Sequence, residues 1–126
     1  MKIPENILYT KDHEWLKINE NNCRIGITDF AQGELGDIIF MELPSIGSQV
    51  SKGDSIGTIE AVKTVADVYT PVDGSVLKIN DSLEDKPELI NEDPYDKGWI
   101  AEIEITEKID KDMCLTKDEY LDFIGR

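Results

Sequence analysis

The chain is poor in the side chains from which most active sites are built. It has one histidine, His13, and two cysteines, Cys23 and Cys114, far apart and in no C-x-x-C pair. A metal cluster built from histidines is thereby excluded, and a histidine-based triad would have to use His13. Neither cysteine has a neighbour in sequence that would lower its pKa. The sequence leaves a Cys23–Cys114 disulfide open, but two buried thiols are the expectation, given how often unpaired cysteine is buried. No glycine-rich phosphate loop occurs. Asp110-x-Asp112 begins like a calcium loop, yet Leu115 stands where the sharp turn requires glycine. Nothing in the chain reads as an active site.

Positive charge is also scarce. Thirteen lysines and arginines stand against 27 aspartates and glutamates, a formal net charge of −14. Such a surface repels phosphate backbones and anionic lipid, which argues against nucleic-acid and membrane partners and suits brief docking onto basic protein surfaces. No apolar run approaches the roughly 20 residues that span a bilayer, and Met1 to Tyr9 lacks the apolar core of a signal peptide. The expected location is therefore cytoplasmic. No linker rich in proline, glycine or serine divides the chain, so residues 1–126 are expected to form one domain.

What is present is a succession of short strands broken by glycine, proline and aspartate. Leu8-Tyr9, Trp15 to Ile18, Cys23 to Ile27, Ser55 to Ala61, Val65 to Tyr69 and Ser75 to Ile79 read as strands between polar turns. Ile38 to Leu43 is a nearly continuous apolar run ended by Pro44, as in a strand buried on most sides. Thr28 is placed to cap a short helix through Gln32, stopped by Gly33 or Gly36. Thr116-Lys117-Asp118-Glu119 is a capping box with Leu115 and Tyr120 as its hydrophobic staple, which predicts a short C-terminal helix. Gly26, Gly36 and Gly74 are expected in backbone turns. Trp15, Tyr95 and Trp99 are expected in core or rim positions, and His13 as a structural hydrogen-bonding residue. A faint echo relates Gly47, Val50 and Ile56 to Asn80, Leu83 and Leu89 at equal offsets, suggesting approximate two-fold internal symmetry. Closely spaced short strands predict a mainly β sandwich or flattened barrel, not a parallel sheet with helical crossovers.

One lysine stands out by its setting. In Ile59-Glu60-Ala61-Val62-Lys63-Thr64-Val65-Ala66-Asp67-Val68, small and branched residues approach Lys63 from both sides. Two strands meeting at a tight turn would hold that side chain at an exposed tip. Acylation of its amine would remove the charge and leave a long flexible tether.

Glu60-Ala61-Val62-Lys63 followed by Asp67-Val68-Tyr69-x-Pro71-x-x-Gly74 resembles the lipoyl attachment motif of the glycine cleavage H-protein family. Tyr9 to Trp15, Gly26 to Gln32, Leu35 to Ile38, Glu42-Leu43-Pro44, Asn91-x-x-Pro94-Tyr95 and Gly98-Trp99 match in the expected order. Ala61 replaces a common serine, and Thr64-Val65 a more usual alanine-containing pair; after Trp99 the likeness fades. A biotin carrier would show methionines beside the lysine, where Val62 and Thr64 stand, and a 2-oxo-acid dehydrogenase lipoyl domain an aspartate just before it.

The resemblance implies a lipoyl/biotinyl-domain-like flattened barrel of two antiparallel sheets with short helices, one at the C-terminus. It implies lipoate on Lys63 and a non-catalytic carrier. The arm accepts an aminomethyl group when a pyridoxal-phosphate glycine decarboxylase acts on glycine. It then passes the one-carbon unit to a tetrahydrofolate-dependent aminomethyltransferase, and dihydrolipoyl dehydrogenase reoxidises it. A lipoate ligase or lipoyl transferase would attach the group. By motif position, Glu14 and Asp67 are the acidic residues of a cleft that receives the loaded arm, where a carboxylate suits its amine. The alternative is a relay that donates lipoyl groups to 2-oxo-acid dehydrogenase carrier domains.

Overall fold

A computed structural model of the chain describes residues 1–109 and 113–126; the Asp110-x-Asp112 segment lies outside the described residues. Among the described residues, nine strands form two antiparallel sheets with the main apolar core between them, and a second cluster gathers Tyr9, Trp15, Tyr95 and Tyr120. The larger sheet takes β1 (Leu8–Tyr9), β2 (Glu14–Asn19), β3 (Asn22–Ile27), β9 (Ala101–Ile105), β8 (Gly74–Ile79) and β5 (Gln49–Val50), in that order across the sheet. The smaller is β4 (Ile38–Glu42), β6 (Ser55–Ala61) and β7 (Val65–Tyr69). Alternation of branched apolar residues with polar ones decides which face of each strand turns inward. Ile25, Met41, Ile59, Val68, Val76 and Ile103 meet between the sheets, each at most 2% exposed. The expected mainly β architecture of two antiparallel sheets is the one observed.

Among the described residues, four short helices flank the sheets: α1 (Asp29–Leu35), α2 (Ser82–Asp85), α3 (Leu89–Glu92) and α4 (Lys117–Phe123). In α1 the Thr28 hydroxyl accepts the Ala31 amide, the cap expected from sequence. The helix runs through Gly33, however, and stops only at Gly36, whose φ of 79° suits glycine. The α4 capping box forms as expected, with Thr116 and Glu119 bonding each other's backbone amides. Its Tyr120 is fully buried and stacks on Tyr9 with ring centroids 4.8 Å apart. Cys23 and Cys114 are both buried, and no disulfide joins them.

Several expectations are corrected. β4 is not buried on most sides, because it is an edge strand with a bulge between Ile38 and Phe40. The extra residue leaves the ladder, so Ile39 and Phe40 both face solvent while Ile38 and Met41 face the core. The sequence echo does not mark equivalent elements: Val50 and Ile56 lie on strands, Leu83 and Leu89 on helices. Only Gly36 of the three glycines serves a turn. Gly26 and Gly74 lie within strands, where a Cβ would meet the Trp15 ring and the Glu104 carbonyl. The strands β5 and β9 and the helices α2 and α3 have no counterpart among the elements expected from sequence.

Candidate functional site

The hairpin of β6 and β7 forms because branched residues fill both strands and their inward members reach the core. Glu60 pairs with Val65, and the turn closes with the Ala61 amide donating to the Thr64 carbonyl at 2.8 Å. Val62, Lys63 and Thr64 are exposed at its tip. The tip is braced from outside, since the Val62 amide donates to the Asp37 carbonyl at 3.1 Å. Asn91 fixes that support. Its side-chain amide donates to the Gly36 carbonyl (2.8 Å) and to Gln32 (2.9 Å), while its Oδ1 accepts from the Ile38 amide (2.9 Å). One side chain from α3 thus ties the end of α1 to the start of β4, beside the turn of the hairpin. The sequence places Asn91 in a motif but assigns it no role, because the partners it joins are distant in the chain.

Lys63 extends along Gly36. A Cβ built on that glycine would lie 3.5 Å from Lys63 Cε, so the stem passes close over the end of α1. The same helix walls a cleft of about 490 Å³, lined on its polar side by Asp12, His13, Glu14, Glu34 and Asp67. Glu14 and Asp67, predicted as cleft residues, are brought together here from β2 and β7. Lys63 is not in the lining; it stands at the exposed turn beyond the end of α1. The remaining surface is apolar, with Phe30 and Leu35 from α1 and Ile59 and Val68 from the hairpin. Among the described residues, no lysine or arginine lines this cleft.

The two carboxyls differ sharply. Glu14 is 2% exposed. Its Oε1 accepts from the Thr10 hydroxyl at 2.7 Å and its Oε2 from the Tyr69 amide at 3.3 Å. Burial nevertheless dominates and pushes its pKa from 4.5 up to about 7, against the lowering effect of those two hydrogen bonds. Asp67 is exposed, and its Oδ1 accepts from Ser55 (3.3 Å) and Thr58 (3.2 Å) hydroxyls. Neither residue is a turn cap. An exposed carboxylate and a buried carboxyl poised near neutrality can together hold a cationic or proton-sharing amine.

His13 has the structural place expected of it. Its φ of 67° is left-handed, its Nδ1 lies 2.9 Å from the Tyr120 hydroxyl, and burial lowers its pKa. Trp15 is fully buried with its indole N–H donating to the Pro94 carbonyl at 2.9 Å. Tyr95 is buried, and Trp99 is half-buried beneath the Arg24 guanidinium. Among the described residues, no group of three or more metal-ligating side chains occurs, and no helix is long and apolar enough to cross a membrane.

Comparison with known proteins points to one family. The model of the family described as "Glycine cleavage H-protein" matches residues 7–125. The "Glycine cleavage system H protein" of a Listeria monocytogenes serotype 4b strain is 56% identical over 120 residues, covering 95% of this chain and 96% of that protein. Its counterpart from Staphylococcus haemolyticus is 46% identical over 125 residues, covering 99% of each. A crystal structure of a glycine cleavage system H protein from Mycobacterium marinum superposes with a TM-score of 0.91 at 37% identity, covering 98% of this chain and 100% of the other.

Proposed function

The chain belongs to the glycine cleavage H-protein family, the lipoyl carriers of the glycine cleavage system, and from that premise we propose that Lys63 carries the lipoyl group and that Glu14 and Asp67 receive the loaded arm. The relay role is not favoured, since the relatives carry the glycine-cleavage name. The single observation that supports the site assignment is spatial. An exposed lysine crowns a braced hairpin whose second strand contributes Asp67 to an acidic cleft beside it.

The residues present fit the group. Attachment needs an accessible amine, and the Lys63 turn is exposed on all three residues. Deprotonated Nζ would attack an activated lipoyl carbonyl: an N–C bond would form, the bond from that carbon to the activating group would break with its electron pair going to the leaving group, and the nitrogen would release one proton to become an amide. When bound, lipoate supplies a dithiolane that takes up an aminomethyl group and cycles between disulfide and dithiol. This chain supplies the rest. Asn91 and the Asp37 carbonyl hold the turn. The apolar wall from α1 and the hairpin offers a dry lodging for a hydrocarbon arm. Glu14, with its pKa raised to about 7, would hydrogen-bond the amine of a loaded arm, and Asp67 would stand beside it as a second carboxyl. Covalent tethering keeps the intermediate at high effective concentration for each docked enzyme.

The chain itself therefore acts as a single non-catalytic domain. Its partners in this reading are the glycine decarboxylase, the aminomethyltransferase, dihydrolipoyl dehydrogenase and a lipoate ligase or lipoyl transferase, all in the cytoplasm. The test is peptide mapping of protein from its natural host. A lipoyl increment on residue 63 is expected, and Lys63→Arg should abolish glycine-dependent NADH formation with the three partner enzymes. A bare lysine in active material, or a biotin increment, overturns the assignment.

A further inference from the structure

The outer face of the β4–β6–β7 sheet carries an apolar patch that the cleft and the carrier reaction leave unused. Register sets its layout: Phe40 pairs with Glu60, and Glu60 pairs with Val65. Residues directly opposite each other point to the same face, so these three form one row across the sheet. The β4 bulge adds Ile39 to that row, as it places two successive residues against one on β6. Ile39 is 56% exposed, Phe40 46%, Val65 62% and Val62, at the turn, 73%. Four large apolar side chains therefore surround Glu60, within about 10 Å of the Lys63 backbone at about 3.3 Å per strand residue and about 4.8 Å per strand. Glu42 continues the same face as an exposed acid.

Charge and reach select the occupant. A second copy of this chain would bring Glu42 and Glu60 against their own equivalents, on a molecule of net charge −14, so a basic partner is favoured over self-association. Reach then separates the partners. An acylated arm would reach well beyond the hairpin, so an enzyme acting on its far end need not cover the residues around the turn. Before acylation, Nζ stands only four methylenes from the backbone. The enzyme that acylates it must bring its own reacting carbon to that short stem and so must cover the residues around the turn. We propose that Ile39, Phe40, Val62 and Val65 form the docking surface for the lipoyl-attaching enzyme, which meets them with an apolar rim flanked by basic residues that pair with Glu60. The proposal rests on Lys63 being the acylated residue. The bulge is the device that widens the surface beyond the hairpin itself.

The experiment compares acylation of unmodified protein by a lipoate ligase supplied with free lipoate and ATP, followed by intact mass. The variants are Phe40→Thr/Val65→Thr, which keep β-propensity while removing apolar surface, and Phe40→Leu/Val65→Ile, which keep the surface apolar. The polar pair should lower kcat/KM roughly ten-fold or more, mainly through KM, as expected for truncated interface anchors. The apolar pair should stay within about two-fold of wild type. Labelling of Lys63 by a small acetylating reagent should be equal in all three proteins, which reports an intact hairpin. Wild-type acylation rates in the polar pair overturn the proposal, as does an equal loss in both pairs. It is also overturned if the polar pair acylates normally but, once loaded, fails only with glycine decarboxylase. Failure of wild type to be acylated at Lys63 would instead sink the carrier assignment beneath it.

Discussion

Glu14 makes the folded state sensitive to pH in an unusual direction. A carboxyl whose pKa rises from 4.5 to about 7 on folding binds its proton more tightly in the folded chain than in the unfolded one. Between those two values the folded state holds more protons, so the free energy of unfolding falls as pH rises. The contribution is fully present below about pH 4.5 and gone above about pH 7. In full it amounts to about 3 kcal/mol at about 1.4 kcal/mol per pH unit. Because the sequence pI is near 4.3, the practical window starts higher, and between about pH 5.5 and about pH 8.5 roughly 2 kcal/mol of it should be lost. Many other carboxylates titrate in this chain, so the comparison must cancel them. Glu14→Gln does so: it copies the neutral carboxyl, and its amide oxygen is able to accept from Thr10 or the Tyr69 amide. Urea unfolding of both proteins at the two pH values, with unchanged m, gives the difference directly. The glutamine variant should gain about 2 kcal/mol on wild type from the lower pH to the higher. A stability difference that does not change with pH, or that shifts in favour of wild type as pH rises, refutes the argument that desolvation outweighs the Thr10 and Tyr69 hydrogen bonds.

Three further outcomes are expected. Glu14→Ala should make the aminomethyl-loaded form decompose faster, by roughly ten-fold for loss of one charge-assisted hydrogen bond, and a rate equal to wild type by mass spectrometry over time would remove Glu14 from the shielding role. Gly26→Ala should destabilise the fold by about 1–3 kcal/mol in urea, since the new Cβ would lie 2.5 Å from the buried Trp15 ring. His13 should carry its proton on Nε2. The Thr28 hydroxyl already accepts the Ala31 amide and lies 2.7 Å from the Tyr120 oxygen, so donation to that oxygen satisfies its own proton and leaves the Tyr120 O–H to donate to Nδ1. The chain has a single histidine, so a long-range nitrogen–proton NMR spectrum reads the tautomer directly; an Nδ1–H signal would show that the chain of donors runs the other way, and Tyr120→Phe should weaken the preference.

The lysine at the hairpin tip is legible in the amino-acid sequence alone. Its exposure depends on local chemistry, branched residues on both sides of a short turn, and that pattern is complete within ten residues of sequence. The caps of α1 and α4 are legible for the same reason: Thr28 and Thr116 act on amides three residues away. β9 carries a readable alternation in Ala-Glu-Ile-Glu-Ile that the strand expectations passed over. The bulge in β4 has no such sign, because an apolar run looks the same whether it lies inside a sheet or along its edge.

What only the tertiary structure decided is the environment of those residues. Glu14 and Asp67 share a cleft because β2 and β7 belong to different sheets that close on one core. Glu14 becomes a buried carboxyl near neutrality only when the Tyr69 strand and α1 have shut water out around it. Burial, and with it the pKa, is a sum over neighbours supplied by distant parts of the chain. A sequence names the carboxyl, and the packing sets its charge.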